Sequence, residues 1–453
     1  MPLTLSLTVG TLVLLPGSLP PPARASIFAF ALAAVLWSTT SLNAAYVALA
    51  AVLLLILSGG GSQELLFEAL ASDVVWLMIG VFVLGGAVQQ TGLAARLTSF
   101  VVGRARTVRG LFWLMTTALI PLSFFIPSTS GRAAIVVPVF RSIAAETADR
   151  RITRALALLM PMIILVATIT TLIGAGSHLI ANDLLEQIAG TRISFLDWIL
   201  YGLPFGIAAS YASCWVVCRM FLDRARLDRA LSASDARATK LSRSERITLG
   251  VVAAMVALWL TESRHGLDVA TVTVLGALVL TAPHVGVLSW KAGLKSVEWN
   301  LVIFVGAALV LGRALIDSGA AQWIIGQLFA ASGIAQAESR ALVLVLLCAI
   351  SLTSHLYMTS HTARAAALVP PLLYLGSSLG LNPVAVMFIG TVGMDYCLTF
   401  PVSSKALLMF QELDEETYQP ADLLRLSAAL LVVHFALMVA FYFAYWRWVG
   451  LPL

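Results

Sequence analysis

Apolar segments of roughly the length that spans a lipid bilayer, about 20 residues, take up most of this chain. Of its 453 residues, 60% are hydrophobic and only 11% are charged, whereas a soluble domain carries roughly twice that charged fraction. In hydrocarbon every backbone N–H and C=O must be satisfied within the protein, so only helices or a closed barrel can span the membrane. The segments lack the short alternating pattern of barrel strands. The sequence therefore predicts an all-α polytopic membrane protein.

About eleven of these segments are predicted to cross the membrane. They cover residues 4–18, 27–41, 44–58, 74–97, 155–188, 195–220, 247–262, 269–283, 298–329, 383–410 and 425–447. Two further apolar stretches, 110–140 and 341–378, each contain a polar break in the middle. We expect both stretches to form re-entrant hairpins.

The basic loops predict how the chain is oriented, because cytoplasmic loops carry an excess of Lys and Arg. The basic clusters lie at 104–109, 141–154, 221–247 and 291–295. With eleven spans and two hairpins, all of them fall on one side, so we expect the N-terminus in the cytoplasm and the C-terminus outside, in the inner (plasma) membrane. The net charge of +5 follows from these loops and does not indicate binding to nucleic acid.

The two halves of the chain repeat each other on either side of the polar segment 221–247. VLGGAVQQTGLA at 83–94 matches VLGRALIDSGAA at 310–321, and STSGRAAIVVP at 128–138 matches SHTARAAALVP at 360–370 with six of eleven positions identical. Because the first hairpin would enter from inside and the second from outside, the repeats are inverted. Inverted repeats with broken, unwound helices are typical of secondary transporters, whose site lies near the bilayer midplane.

Each predicted hairpin tip combines hydroxyl side chains with an arginine, Arg132 or Arg364, at the start of a new half-helix. Helix N-termini carry unpaired N–H groups and partial positive charge, so two facing ends form an anion site. An Arg at membrane depth costs about 2.5–3.5 kcal/mol, which suggests an acidic partner. We interpret the pair as capturing substrate carboxylates or a tetrahedral oxyanion. The alternative is structural, with each Arg holding backbone carbonyls or reaching an interface.

These features together resemble the divalent anion/sodium symporter family of the ion transporter superfamily, whose members carry dicarboxylates, citrate and sulfate. Its hairpin tips read Ser-Asn-Thr, often followed by Ala-Thr or Ala-Arg, and STSGR at 128–132 and SHTAR at 360–364 stand at those places. WLMIGVFVLGGAVQQTGL at 76–93 is similar to the family's span before the first hairpin, and YQPADLLRLSAALLVVHFAL at 418–437 to its last-span entry. The resemblance covers nearly the whole chain. It implies a homodimer with a scaffold domain and a transport domain that moves as an elevator.

On this resemblance the chain divides into scaffold and transport parts. The expected parts are N-terminal scaffold spans (1–73), a first transport repeat (74–194), scaffold spans with the cytoplasmic linker (195–297), a second transport repeat (298–424) and a last span (425–453).

The chain departs from the family where amides are expected. Thr129 and His361 stand in place of the tip Asn residues, and the family's Thr-Pro-Pro-Asn-like unwound segments correspond to GAGSHLI at 174–180 and PVSSKALL at 401–408. The site has thus lost amide oxygens and gained titratable or cationic groups, which would repel Na⁺. We therefore expect weakened or absent Na⁺ coupling, and H⁺ coupling through His361 or His178, or anion exchange, in its place.

Lys405 follows His178 by 227 positions and is its repeat equivalent. A buried Lys in an unwound segment needs an anion, which either the substrate or Asp395, ten residues earlier, would supply. Neighbours in sequence do not share a helix face, so Ser404 beside Lys405 and Ser177 beside His178 do not indicate a catalytic pair.

The candidate site residues fall into two groups. The substrate-binding candidates are Ser128, Thr129, Ser130, Arg132, Ser360, His361, Thr362, Arg364, Ser404 and Lys405. The candidates for coupling or for the unwound segments are Gly174, Ser177, His178, Asp395 and Ser403. No metal site or cofactor is expected beyond Na⁺ or H⁺ as a coupling ion.

The predicted function is secondary active transport of small anions, di- or tricarboxylates first, by an elevator mechanism. Sulfate or another inorganic oxyanion is an alternative substrate. A cation/proton antiporter or metalloid efflux protein of the same superfamily is another alternative, although the clustered cationic groups argue against a cation substrate. Motifs for ATP binding, zinc binding or hydrolysis are not present in the sequence, so an enzyme is not expected. The expected partners are the anion, the bilayer and a second copy of the chain.

Overall fold

The computed structural model describes residues 19–40, 42–231, 240–321, 323, 340–358, 360–413, 415 and 417–453. Among these residues the fold is all-helical and contains no strand, which confirms the predicted class. The predicted span 4–18 and residues 322 and 324–329 of the span 298–329 lie outside the described part of the chain.

The helices are numbered here in chain order. The first half contains α1 (Pro21–Thr39), α2 (Ala44–Leu57), α3 (Glu64–Leu70), α4 (Asp73–Thr91), α5 (Leu93–Val102), α6 (Val108–Leu119), α7 (Thr129–Thr147), α8 (Arg150–Val166), α9 (Gly176–Ala189), α10 (Phe195–Phe221) and α11 (Arg224–Leu227). The second half contains α12 (Arg243–Leu260), α13 (Glu262–His265), α14 (Val269–Thr281), α15 (Trp290–Lys295), α16 (Trp299–Asp317), α17 (Arg340–Thr353), α18 (His361–Ser378), α19 (Pro383–Met394), α20 (Lys405–Gln411) and α21 (Pro420–Ala444).

Six of the described helical segments are long and apolar enough to cross a membrane. They are Pro21–Thr39, Asp73–Thr91, Arg150–Thr170, Phe195–Phe221, Trp299–Asp317 and Pro420–Trp448. Their burial places them in the fold: 94% of the apolar stretch in Arg150–Thr170 is buried inside the protein, against 33% for Pro420–Trp448. The former is therefore a central helix, and the latter lies at the periphery, where its apolar side chains suit contact with lipid.

The predicted span 74–97 ends earlier than expected. Gly92 takes a left-handed conformation with φ of 70°, a backbone geometry that glycine adopts without the steric cost a Cβ would bring and that commonly ends helices. The chain then begins a separate helix, α5, which buries Ala94, Thr98 and Val102 at four-residue spacing. One predicted span is thus a membrane-length helix followed by a shorter amphipathic one.

In the described part of the linker 221–247, the short helix α11 is followed by an extended stretch that pairs with the start of α6, and α12 begins at Arg243. Val108 N donates to Arg229 O at 3.1 Å, and Leu231 N donates to Arg106 O at 3.0 Å. These bonds use the backbone groups that a longer helix would need. Residues 232–239 lie outside the described part.

Both predicted hairpin stretches consist of two helices joined by a turn. α6 is followed by a 3₁₀ turn at Ile120–Phe124 before α7 begins, and α17 is followed by one at Ser354–Leu356 before α18 begins. The long segments that come next in each half are also interrupted. α8 and α9 are separated by 3₁₀ turns over 167–174, and α19 and α20 by the non-helical stretch after Met394 with a turn at Pro401–Ser403.

Candidate functional site

A cavity of about 340 Å³ lies where the two hairpin tips and the two interrupted segments meet. Its walls come from both halves of the sequence. They include Ser128, Thr129 and Ser130 of the first tip, Ser360, His361 and Thr362 of the second tip, Ala175, Gly176 and Ser177 of the first broken segment, and Val402, Ser403, Ser404 and Lys405 of the second. The fold thus gathers most of the predicted site residues around one space.

The two tips repeat the same capping geometry. Ser128 Oγ accepts from the Gly131 N–H at 3.2 Å and lies 2.9 Å from Ser130 Oγ. Ser360 Oγ accepts from the Ala363 N–H at 3.3 Å. Such side chains satisfy one of the free N–H groups of the first helical turn. The remaining free N–H groups are left for another acceptor.

Helix N-termini concentrate at this cavity. Residues in the first turns of α7, α9 and α18 line it, and Ala175 and Ser404, directly before α9 and α20, both have extended backbone. Each N-terminus carries partial positive charge. Lys405, expected in a buried unwound segment, is instead exposed and begins α20, and it adds a full charge to the lining of the cavity. The cavity is therefore built to attract anions.

Arg132 and Arg364 lie behind the cavity and are fully buried. Arg132 donates to Gly174 O at 2.7 Å, and Arg364 donates to Tyr396 O at 2.9 Å. Each guanidinium ties the first turn of a half-helix to the neighbouring unwound segment. Neither guanidinium lines the cavity, and both contacts are those of the structural alternative, in which each Arg holds a backbone carbonyl.

Asp395 does not pair with Lys405, contrary to one reading of the sequence. Its carboxylate instead lies 2.5 Å from His178 Nε2 and accepts from Thr168 Oγ1 at 3.0 Å and from Ser177 Oγ at 3.2 Å. The reason is the non-helical stretch after Met394, which directs Asp395 into the protein while Lys405 starts the next helix at the cavity.

The hydrogen bonds of His178 indicate how many protons the buried His178–Asp395 pair holds. His178 Nδ1 lies 3.1 Å from Thr171 O, and because a carbonyl only accepts, Nδ1 must carry a hydrogen. A second proton is then needed between Nε2 and Asp395, on the ring or on the carboxyl. His361 lies nearby, with Nδ1 at 3.9 Å from Asp395 and Nε2 at 2.7 Å from Cys397 Sγ. The geometry is that of a buried acid–imidazole pair that shares a proton.

Glu298 is a cavity residue that the sequence analysis missed. It stands directly before α16 without forming a side-chain cap, and its Oε1 accepts from Ser128 Oγ at 2.5 Å. The signal in the sequence was an acidic residue at the first position of the predicted span 298–329, just after the basic pair Lys291 and Lys295. Nothing in the repeat pattern placed that residue beside the first tip.

Comparison with known proteins identifies the family of the chain. Residues 2–451 match the family described as the sodium:sulfate symporter transmembrane region. The chain belongs to this family, the divalent anion/sodium symporters. Its members are transporters, and the chain is accordingly an anion transporter of the membrane and not an enzyme.

Two relatives carry names that describe their substrates. The citrate/succinate antiporter of Escherichia coli K12 is 24% identical over 351 residues, covering 73% of this chain and 70% of the relative. The sodium-dependent dicarboxylate transporter SdcS of Staphylococcus saprophyticus is 23% identical over 403 residues, covering 81% and 76%. Among solved structures, MtrF of Neisseria gonorrhoeae aligns with a TM-score of 0.57 at 13% identity, covering 97% of this chain and 98% of that one. That likeness concerns the fold alone.

Proposed function

We propose that this family member is a secondary active carrier of small di- and tricarboxylates, which bind in the cavity between the two hairpin tips. The observation that carries the proposal is the convergence of the α7, α9 and α18 N-termini with Lys405 on one space. Its volume of about 340 Å³ is at the small end of ligand sites, about 300–1,000 Å³. That size suits an acid of four to six carbons.

The two tips offer one binding place for each end of such an acid. Ser128, Thr129 and Ser130 with the start of α7 would hold one carboxylate, and Ser360 and Thr362 with the start of α18 would hold the other. Lys405 also lines the cavity and would neutralise the second charge, while Ser403 and Ser404 beside it offer further hydroxyl groups. The names of the relatives from E. coli and S. saprophyticus support carboxylates as the substrate class.

Sulfate is the second candidate substrate, because the family description names it. A tetrahedral oxyanion would use the same donors but would engage one tip at a time. The positive charge around the cavity disfavours a cation as the transported substrate.

For coupling we propose a proton, or exchange for an internal anion, in place of Na⁺. The buried His178–Asp395 pair supports this proposal, because it holds a proton whose release would change the charge behind the cavity. Arg132 and Arg364 already bring two cationic groups to the carbonyls of the unwound segments. A sodium ion there would meet positive charge where it needs oxygen ligands.

We propose that the architecture follows the family. It would have about eleven spans, two re-entrant hairpins, the scaffold and transport parts divided at 73, 194, 297 and 424, an elevator motion, and a homodimer with cytoplasmic N-termini.

The substrate is tested with purified protein in liposomes. Uptake of labelled succinate, citrate and sulfate is measured against internal unlabelled anion, with protein-free liposomes as the control. We expect exchange of succinate or citrate and little exchange of sulfate. Exchange of sulfate alone, or of no anion, would contradict the proposal.

Lys405→Gln is expected to weaken succinate binding. A charge-assisted hydrogen bond contributes about 1.5–3 kcal/mol, so its loss should raise the Kd roughly 10- to 100-fold. Titration calorimetry in detergent measures this effect. Lys291→Gln is the matched control, because Lys291 is an exposed lysine of α15 away from the cavity walls. An unchanged Kd for Lys405→Gln would show that this lysine does not bind the substrate.

A further inference from the structure

We propose that Glu298 is a built-in competitor of the substrate, with a carboxylate that occupies the first hairpin tip until the transported anion displaces it. The inference rests on the proposed function, since it assumes that a carboxylic acid binds between the tips. It is carried by the contact between Ser128 Oγ and Glu298 Oε1 at 2.5 Å, at the wall of the cavity.

The competition arises because the single hydroxyl group of Ser128 can donate only one hydrogen bond. Ser128 Oγ already accepts from the Gly131 N–H, and a serine has one O–H hydrogen to donate. That hydrogen points to a carboxylate at the N-terminus of α7, where an anion is favoured by the helix dipole. Ser128 can therefore donate to Glu298 or to a substrate carboxylate, but not to both.

The two tips differ in this respect. Glu298 is the one acidic side chain among the described residues that line the cavity. At the second tip, Ser360 Oγ lies 3.1 Å from Thr362 Oγ1, and Lys405 lines the same cavity. The second tip is thus ready for a carboxylate, while the first is already occupied. A dicarboxylate would dock first at the second tip and then replace Glu298 at the first.

The contact also joins the two halves of the sequence. Glu298 stands directly before α16, which packs against α2, α3 and α9, while Ser128 stands directly before α7, which packs against α8 and α20. When the substrate takes the Ser128 hydrogen, the first tip loses this side-chain bond to the start of α16.

The test measures succinate affinity by calorimetry for wild type, Glu298→Ala and Glu298→Gln. Removing the competitor should tighten succinate binding several-fold and up to about tenfold, because the substrate no longer displaces a hydrogen bond with a net contribution of about 0.5–1.5 kcal/mol. Glu298→Gln keeps the side-chain shape and removes the charge, so it reports on the competition if the alanine variant does not fold. Glu64→Gln, an exposed acid on α3 away from the cavity, is the matched control.

A double-variant cycle identifies Ser128 as the group in competition. In a Ser128→Ala background, the Glu298 substitutions should no longer change succinate affinity, because there is no hydroxyl left to release. If wild type binds succinate and both Glu298 variants bind it equally or more weakly, this inference is overturned while the proposed function stands. If wild type binds no carboxylic acid, the proposed function and this inference fail together.

Discussion

Asp395→Asn is expected to reduce net succinate uptake by more than about 100-fold. Asp395 contacts His178, Thr168 and Ser177, and His361 lies within 3.9 Å. Removing one member of a buried charge pair costs about 3–5 kcal/mol, and 100-fold corresponds to about 2.7 kcal/mol. The amide would also remove the site that shares a proton with His178, so the pH dependence of uptake should vanish.

Net uptake and anion exchange, compared at several external pH values, check this prediction. Anion exchange moves no net proton. If Asp395 takes part in proton coupling, the substitution should therefore reduce exchange less than it reduces net uptake. Asp183→Asn is the control, because this buried acid of α9 bonds to Gln187 and lies away from the cavity walls. Normal uptake by Asp395→Asn with an unchanged pH profile would refute a coupling role for the cluster.

Arg132→Gln and Arg364→Gln are expected to destabilise the protein as well as weaken transport. Each variant removes a charged donor from a buried backbone carbonyl, Gly174 O or Tyr396 O, at a cost of about 1–3 kcal/mol or more. The unwound segments would lose their attachment to the half-helices. We expect a lower melting temperature in detergent and a weaker succinate affinity in the protein that remains folded.

The two readouts distinguish positioning from direct binding. Lys405→Gln should change affinity without lowering the melting temperature, since that side chain is exposed. The Arg variants should change both, and Arg132→Lys, which keeps a charge and a donor, should fall between wild type and Arg132→Gln. An Arg variant that melts like wild type but binds no succinate would restore the direct role expected from the sequence.

The sequence predicted that the two hairpin tips meet, because a polar break at membrane depth is stable only where protein or a water-filled cavity surrounds it. The capping serines Ser128 and Ser360 and the wall residue Lys405 follow from that pattern. The family resemblance placed the unwound segments at 174–180 and 401–408, whereas the interruptions lie earlier in the chain, at 167–174 and from Asp395 to Ser404, because α9 already begins at Gly176 and α20 at Lys405.

Side-chain directions within the unwound segments could not be predicted. Outside a helix the 3.6-residue periodicity is lost, so the ten-residue spacing between Asp395 and Lys405 says nothing about their distance. For the same reason, the sequence could not decide whether Arg132 faces the cavity or a carbonyl behind it. Glu298 was missed because its partner lies 170 positions away and no repeat relates the two.

The central claim is that the two tips carry a small carboxylate without Na⁺. The direct measurement is succinate uptake into liposomes with choline replacing Na⁺ on both sides, driven either by an inward proton gradient or by internal succinate. The account predicts uptake under at least one of these drives, unchanged when Na⁺ is added. Uptake that occurs only with an inward Na⁺ gradient would contradict it.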